Sequence, residues 1–497
     1  MPDLRLGVRP AVLAVAVGVA VAGACSTEVR NFNPTGGAGG EGPGASSSSH
    51  TTSSTAHGPS SSSSHASTGA GAGGSGGGAA GGGGSGPTGS CTPMGGQPFD
   101  IVTAGEVQGQ QLGHLFVQTG VDGANALVHV IAVSQSETEL FIQTLEGSGP
   151  PQHPTVTYGT QLPIHVKSSW TEPGALYVFA GSQNTGVGTI HFFVSGDTIT
   201  DNTGFRSFTM PNDCSDGVGG GSAVTTSQFA AYSPTSAAGS DRPLYLATCT
   251  TPRGTTDLVV GDDEGGSLQV VISDGDTTTA QMSPIGLAYV GGAGGPGAGG
   301  GNAGGQYFAA FQPNGSNSQP SISHGTTPAD LRVTTPFVLG GTGSLNVLFG
   351  AVPTAANDGL VLFGATVPPS NTNGEIWTGS VAATDFGALE TDPTTVLTKR
   401  ATIADISTVG QIQNPTFDAG HIYGAGATIG GTTIAQNWFQ RDGTPVILEQ
   451  EIVSLPHDTI DAAGSAPMGP LKQLVVWVQL AGGAYSVRGQ YFVCQGG

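Results

Sequence analysis

Charge is scarce in this chain: 9% of its 497 residues are charged, and lysine occurs only at Lys167, Lys399 and Lys472. The scarcity is lopsided. After residue 91 only 10 basic residues stand against 31 acidic ones, and the net charge of the whole chain is −21. A surface this acidic repels phosphate backbones, which excludes nucleic acid as a partner. Metal-ligand spacing is also missing: there is no H-E-x-x-H, no C-x-x-C and no EF-hand loop, and no Gly-Lys-Ser/Thr that would mark a P-loop. No metal, cofactor or catalytic residue is therefore assigned. Long apolar runs are missing as well. Ala11–Ala22 (AVLAVAVGVAVA) is 12 residues long. As a helix it spans about 18 Å, short of the ~30 Å bilayer core.

That run follows a short segment holding Arg5 and Arg9, and reads as the h-region of an export signal rather than a membrane anchor. It ends in Ala22-Gly23-Ala24-Cys25. Small residues before a cysteine resemble the lipobox of bacterial lipoproteins, although Ala22 stands where that family most often has Leu. The resemblance implies cleavage after residue 24 and a lipid-modified Cys25 as the new N-terminus, carrying diacylglycerol and an N-linked palmitate-like chain. Two or more acyl chains anchor stably where one does not. Ser26 at the next position implies sorting to the outer membrane, facing the periplasm or the cell surface. Ala22-Gly23-Ala24 also satisfies the A-x-A pattern of ordinary signal peptidase, which would leave Cys25 as a free thiol. Cysteine parity favours lipidation. Of five cysteines, Cys91, Cys214, Cys249 and Cys494 can form two bridges only once Cys25 is set aside.

Residues 25–90 form a linker dominated by Ser, Gly, Ala, Thr and His. Such a composition has too little apolar surface to offset chain entropy and is expected to be disordered. Its 65 residues from Ser26 to Ser90 have an r.m.s. span of about 45 Å and a taut limit near ~220 Å. His50, His57 and His65 within it read as solvated spacer.

Residues 91–497 are expected to be all-β. Helical periodicity is nearly absent, Ala401–Gln413 being the weak exception. Short runs rich in Val, Ile, Phe, Tyr and Thr come in pairs bounded by turn residues. Seven pairs begin at Leu127, Ala175, Pro243, Ile285, Leu345, Ile422 and Leu474. Gln228–Tyr232, Leu268–Ser273 and Val446–Val453 are weaker strands between them. Two strong and two weak strands per step suggest four-stranded sheets repeated radially, a β-propeller of about seven blades. Two β-sandwich domains are the alternative. Cys91 opens this part and Cys494 nearly closes it, so a Cys91–Cys494 bridge would lock a ring, leaving Cys214–Cys249; four cysteines allow three connectivities.

Candidate site residues are scattered. His129, His165 and His191 lie within strand-like runs and read first as core or face histidines, with a catalytic base as the sharper alternative. Trp438 and Trp477 are expected in the core. Trp170 and Trp377 border turns and are candidates for exposed stacking. Asp262-Asp263-Glu264 and Asp274-Gly275-Asp276 read as solvated turns. Gly340–Ser344 resembles a nucleophile elbow only superficially, because a strand and not a helix follows; Gly291–Gly305 reads as a loop. The favoured function is a lipid-anchored envelope module that binds protein or glycan. An exported hydrolase or lyase with its site at a channel mouth, and a passive envelope protein without specific ligand, remain as alternatives.

Overall fold

The computed structural model describes residues 89–495 apart from connecting segments, the longest of which are 209–223, 231–243, 291–304 and 404–415. The signal segment, Cys25, residues 26–88, His165 and Cys214 lie outside the described residues, as do the turns at 263–268 and 274–281 and the residues 340–344.

The chain is all-β. It opens with β1 (Ser90–Pro93) and β2 (Phe99–Val102), followed by the four-residue helix α1 (Ala104–Val107). A capping box holds this turn: Glu106 N donates to Thr103 Oγ1 at 3.2 Å, and Thr103 N donates to Glu106 Oε2 at 2.7 Å.

Seven antiparallel sheets then follow in chain order. The first is β3 (Leu112–Asp122), β4 (Asn125–Ser134), β5 (Glu139–Glu146) and β6 (Val156–Gly159). The second is β7 (Val166–Glu172), β8 (Ala175–Ser182), β9 (Gly186–Ser195) and β10 (Thr198–Phe208). The third is β11 (Val224–Ala230), β12 (Leu244–Thr250), β13 (Thr256–Asp262) and β14 (Gln269–Ser273). The fourth is β15 (Met282–Val290), β16 (Gln306–Pro313), β17 (Ser321–Gly325) and β18 (Thr335–Pro336). The fifth is β19 (Leu345–Pro353), β20 (Gly359–Val367), β21 (Gly374–Ala382) and β22 (Thr398–Ile403), with the short helix α2 (Phe386–Thr391) before its last strand. The sixth is β23 (Thr416–Phe417), β24 (His421–Ala427), β25 (Thr433–Gln440) and β26 (Pro445–Ser454). The seventh is β27 (Thr459–Pro467), β28 (Lys472–Ala481) and β29 (Ala484–Gln495), completed by β1 and β2, which both pair with β29.

Strands adjacent in sequence pair antiparallel within each sheet, β1 and β2 on β29 being the exception, and tight turns join some of them. Ala481 pairs with Ala484 across Gly482 and Gly483, both at positive φ (57° and 85°). This is the left-handed pair that a two-residue hairpin of primed type requires.

The first strands of the first five sheets meet in succession. β3 touches β7, β7 touches β11, β11 touches β15, and β15 touches β19. The fifth and sixth sheets are joined by side chains: Ser380 Oγ donates to Asp442 O at 3.2 Å, and the Phe363 and Phe439 rings lie 5.0 Å apart. β27 then touches both β24 and β3, so the seventh sheet lies between the sixth and the first.

Among the described residues, the central strands β4 and β28 are buried on both faces. In β28, Leu474, Val476 and Val478 face a core shared with the first sheet, whereas Val475 and Trp477 face one shared with the sixth. In β4, Val128, Val130 and Ala132 face the seventh sheet, and Leu127, Ile131 and Val133 the second. Two-sided burial explains why these strands read as continuous apolar runs, without the in–out alternation of a half-solvated sheet.

Two expectations need correction. Ala401–Gln413 does not open a helix. Ala401–Ile403 ends strand β22, whose β-branched Thr398, Thr402 and Ile403 suit the ladder with β21, and the remainder lies outside the described residues. The described helix nearby is α2, fifteen residues upstream of Ala401 at Phe386, where Phe386 and Leu389 pack into the core between the fourth and fifth sheets. Trp377 is not an exposed platform either. It packs against that same core and its indole Nε1 is buried.

Trp438 and Trp477 are fully buried between the sixth and seventh sheets. Trp477→Ala is expected to lower unfolding free energy by about 3–5 kcal/mol, read as a drop in the denaturant midpoint with the far-UV strand signal retained in buffer.

Candidate functional site: the seam of the first strand and an aromatic row

The first residues of the folded part join two sheets at once. β1 runs antiparallel to the end of β29, from Ser90 opposite Gln495 to Pro93 opposite Phe492. Cys91 faces Cys494 in this register, their Cα atoms 4.0 Å apart, and the pair is a disulfide. On the other side lies β26 of the sixth sheet. Gly89 N donates to Val446 O at 3.0 Å. The Gln450 side chain acts as a piece of strand: its Oε1 accepts from Cys91 N at 2.8 Å and its Nε2 donates to Cys91 O at 3.0 Å. A primary amide has the donor and acceptor geometry of a peptide group, so it completes a ladder that the backbone of β26 does not reach.

The disulfide is enclosed. Cys91 is 3% exposed and Cys494 is 0% exposed. The buried Gln473 directs its Nε2 at both sulfurs, 3.3 Å from Cys91 Sγ and 3.0 Å from Cys494 Sγ. Cys249 lies in β12, its Cα opposite Asp257 of β13; its partner in the sequence reading, Cys214, lies outside the described residues.

A second feature is an aromatic row on the second sheet. Tyr177 of β8 and His191 of β9 are cross-strand partners, and their rings stack at 4.5 Å with an interplanar angle of 7°. Phe193, two residues on and on the same face, lies 4.7 Å from His191. It is 46% exposed, the most exposed large apolar side chain among the described residues. Backbone register places Trp170 of β7 opposite Tyr177. Alternation in Ile190–Val194 signals the arrangement. Ile190, Phe192 and Val194 enter the core between the first two sheets, which turns His191 and Phe193 to the opposite face. The sequence reading singled out His191 and Trp170 but passed over Tyr177 and Phe193. Stacked rings with one open edge are suited to flat apolar surfaces, including the faces of sugar rings.

His129 is a core histidine. It is buried beside Leu127 and Ile131, and its Nδ1 lies 2.8 Å from Thr144 Oγ1 on the neighbouring strand. Gly120 makes room for it, since a Cβ at that position would meet His129 Nε2. Burial pushes the His129 pKa down to about 4. Among the described residues, no three His, Cys, Asp or Glu side chains gather at metal-holding distance.

No protein-family model and no curated protein matches this chain. Similarity to solved structures is low. An α-L-arabinanase of Penicillium chrysogenum complexed with arabinobiose is 9% identical, with 80% of this chain and 98% of that one aligned at a TM-score of 0.36. The core factor of S. cerevisiae is 8% identical over 81% of this chain and 62% of that one, at 0.39. An exo-β-1,3-galactanase of Phanerochaete chrysosporium with β-1,3-galactotriose is 9% identical over 78% and 96%, at 0.31. Scores at this level carry no argument about fold or activity.

The buried histidine has a pH signature. The unfolded chain takes up a proton near pH 6.5 and the folded chain only near pH 4, so between these values the unfolded state holds more protons. Its contribution is complete above pH 6.5 and is lost as pH falls through about 4, by about 3 kcal/mol. In urea titrations at pH 7 and pH 4.5, His129→Gln is expected to flatten this fall relative to wild type.

Proposed function

We propose that the chain is an exported lipoprotein that presents a seven-bladed β-propeller at the end of a long flexible leash, as a binding module of the cell envelope. The observation that carries this reading is the position of the first strand. The Ser/Gly-rich stretch leads directly into β1, which completes the last sheet and is paired through Cys91 with Cys494. The propeller reading rests on seven meandering sheets that touch in chain order, with β27 of the seventh against β3 of the first. Radial repetition leaves only short sheet edges, which suits a domain exposed outside the cell.

The binding reading rests on the aromatic row. Phe193, tilted against the His191 ring that stacks on Tyr177, offers an apolar surface in a strongly acidic domain. Proteins and glycans fit such a surface, and polyanions do not.

Membrane attachment follows from acylation of Cys25. Cys25→Ala is expected to shift the protein from the membrane fraction to the soluble exported fraction, and mass spectrometry of the wild-type N-terminal peptide to show diacylglycerol on the Cys25 thioether. An unmodified thiol, or a full-length precursor in the cytosol, overturns the lipoprotein reading.

A further inference from the structure

We infer that the core between the sixth and seventh sheets encloses bound water, held by Gln436, Trp438 and Gln473 beside the buried disulfide. The inference is independent of how the chain is anchored and of what it binds.

Ile434 and Trp438 of β25 pack into the core shared with the seventh sheet, and Gln436 stands between them on the same face. Val475 and Trp477 of β28 enter that core from the other side, and Gln473 shares their face. Gln436, Trp438 and Gln473 are each 0% exposed. Their surroundings are largely apolar, with Ile447, Val453 and Phe492 in the same cluster.

Several polar groups here are paired within the protein. Trp477 Nε1 donates to Gln479 Oε1 at 3.1 Å, and Gln479 Nε2 donates to Asp458 Oδ2 at 2.7 Å. Gln450 uses both ends of its amide on Cys91. Three atoms are left over. Among the described residues, nothing accepts from Trp438 Nε1, and nothing donates to Gln436 Oε1 or Gln473 Oε1. Turning the amides over does not help. Gln436 Nε2 donates to Asn437 O at 2.7 Å, and Gln473 Nε2 lies 3.3 Å and 3.0 Å from the sulfurs of Cys91 and Cys494. Reversal would set an amide oxygen against a carbonyl in the first case, and against two sulfurs that carry no hydrogen in the second.

A carbonyl or an indole N–H buried with no partner costs more than immobilising one water to satisfy it. The chemistry of the three atoms selects water. An inorganic cation cannot accept from the indole N–H, and an inorganic anion cannot donate to the amide oxygens; water does both. Gln436 and Trp438 are two positions apart on one face, about 7 Å along the strand, so one molecule reaches both side-chain tips. It accepts from the indole and donates to the Gln436 oxygen. Gln473 belongs to the opposite sheet, and a second water on its Oε1 lies beside the disulfide that its Nε2 faces.

Nuclear magnetic resonance of the full oxidised chain, with isotope-labelled tryptophan nitrogen, tests this without any substitution. The Trp438 indole proton, assigned through its contacts with the paired Ile447, is expected to show a cross-relaxation peak to water, of the sign that marks a held molecule. The Trp477 indole proton, bonded to Gln479, is the internal reference and is expected to lack that peak. Magnetic relaxation dispersion of the water oxygen then counts the long-lived waters. Trp438→Phe and Gln436→Met are each expected to lower the count by one, and the double variant by the same one. Gln473→Met is expected to remove a different one. A Trp438 peak no stronger than that of Trp477 overturns the inference, as does a count unchanged in every variant that folds. A loss of two in the Gln436, Trp438 double variant overturns the sharing of one molecule between them.

Discussion

The pairing of β1 with β29 is the constraint on which the rest depends. The seventh sheet touches both the sixth and the first, which makes its outer edge a seam between them. That seam needs a partner for the outer edge of β29, and the chain supplies one from its own beginning. A sheet edge left open there would expose unpaired N–H and C=O groups and invite association with other chains. The Cys91–Cys494 bridge turns this non-local pairing into a local one. In chain-entropy terms it removes about 6 kcal/mol of freedom from the unfolded state, as an upper bound for a loop of this length. Gln450 then ties the same residue to the sixth sheet, so one cysteine is held from two sides.

Two-sided burial is the second constraint, and it follows from the first. A polar side chain buried in mid-strand between two sheets needs a special reason. His129 meets that condition by pairing with Thr144 and by lying over Gly120, at the cost of its ordinary basicity. The aromatic row of the second sheet meets it differently. His191 stacks flat on Tyr177 while Phe193 keeps an open edge. One histidine thus pairs with a threonine in the core, and the other, itself buried, stacks on Tyr177 beside the exposed Phe193.

Much of the fold was legible because apolar hairpins declare themselves. The pairs beginning at Leu127, Ala175, Ile422 and Leu474 are β4–β5, β8–β9, β24–β25 and β28–β29, the middle strands and outer hairpins of their sheets. The strands that went unread are of another kind. β27 (TIDAAGSAP) and β21 (GEIWTGSVA) are rich in small and polar residues, and β7 (VKSSWTE) carries two charges. Their strand character comes from neighbours: Gly464 of β27 faces Val117 of the first sheet so closely that a Cβ would collide with it. A one-residue run cannot announce a contact made more than 300 positions away. The candidate site was legible to the same degree. Cys91 and Cys494 stood out as the ends of the folded part, whereas Gln450, Gln473, Tyr177 and Phe193 carry no motif and acquire meaning only from what they touch.

Sequence by itself determined the class of the fold, the number of strong hairpins, the acidic surface and the composition of the stretch before Cys91, because each is a matter of local residue type and period. Tertiary structure alone decided which strand completes the last sheet, which side-chain amide stands in for backbone at the seam, and which aromatic side chains share a face. Those depend on register, where a shift of one residue sends every side chain to the opposite side, and register is settled by packing between sheets rather than within any one strand.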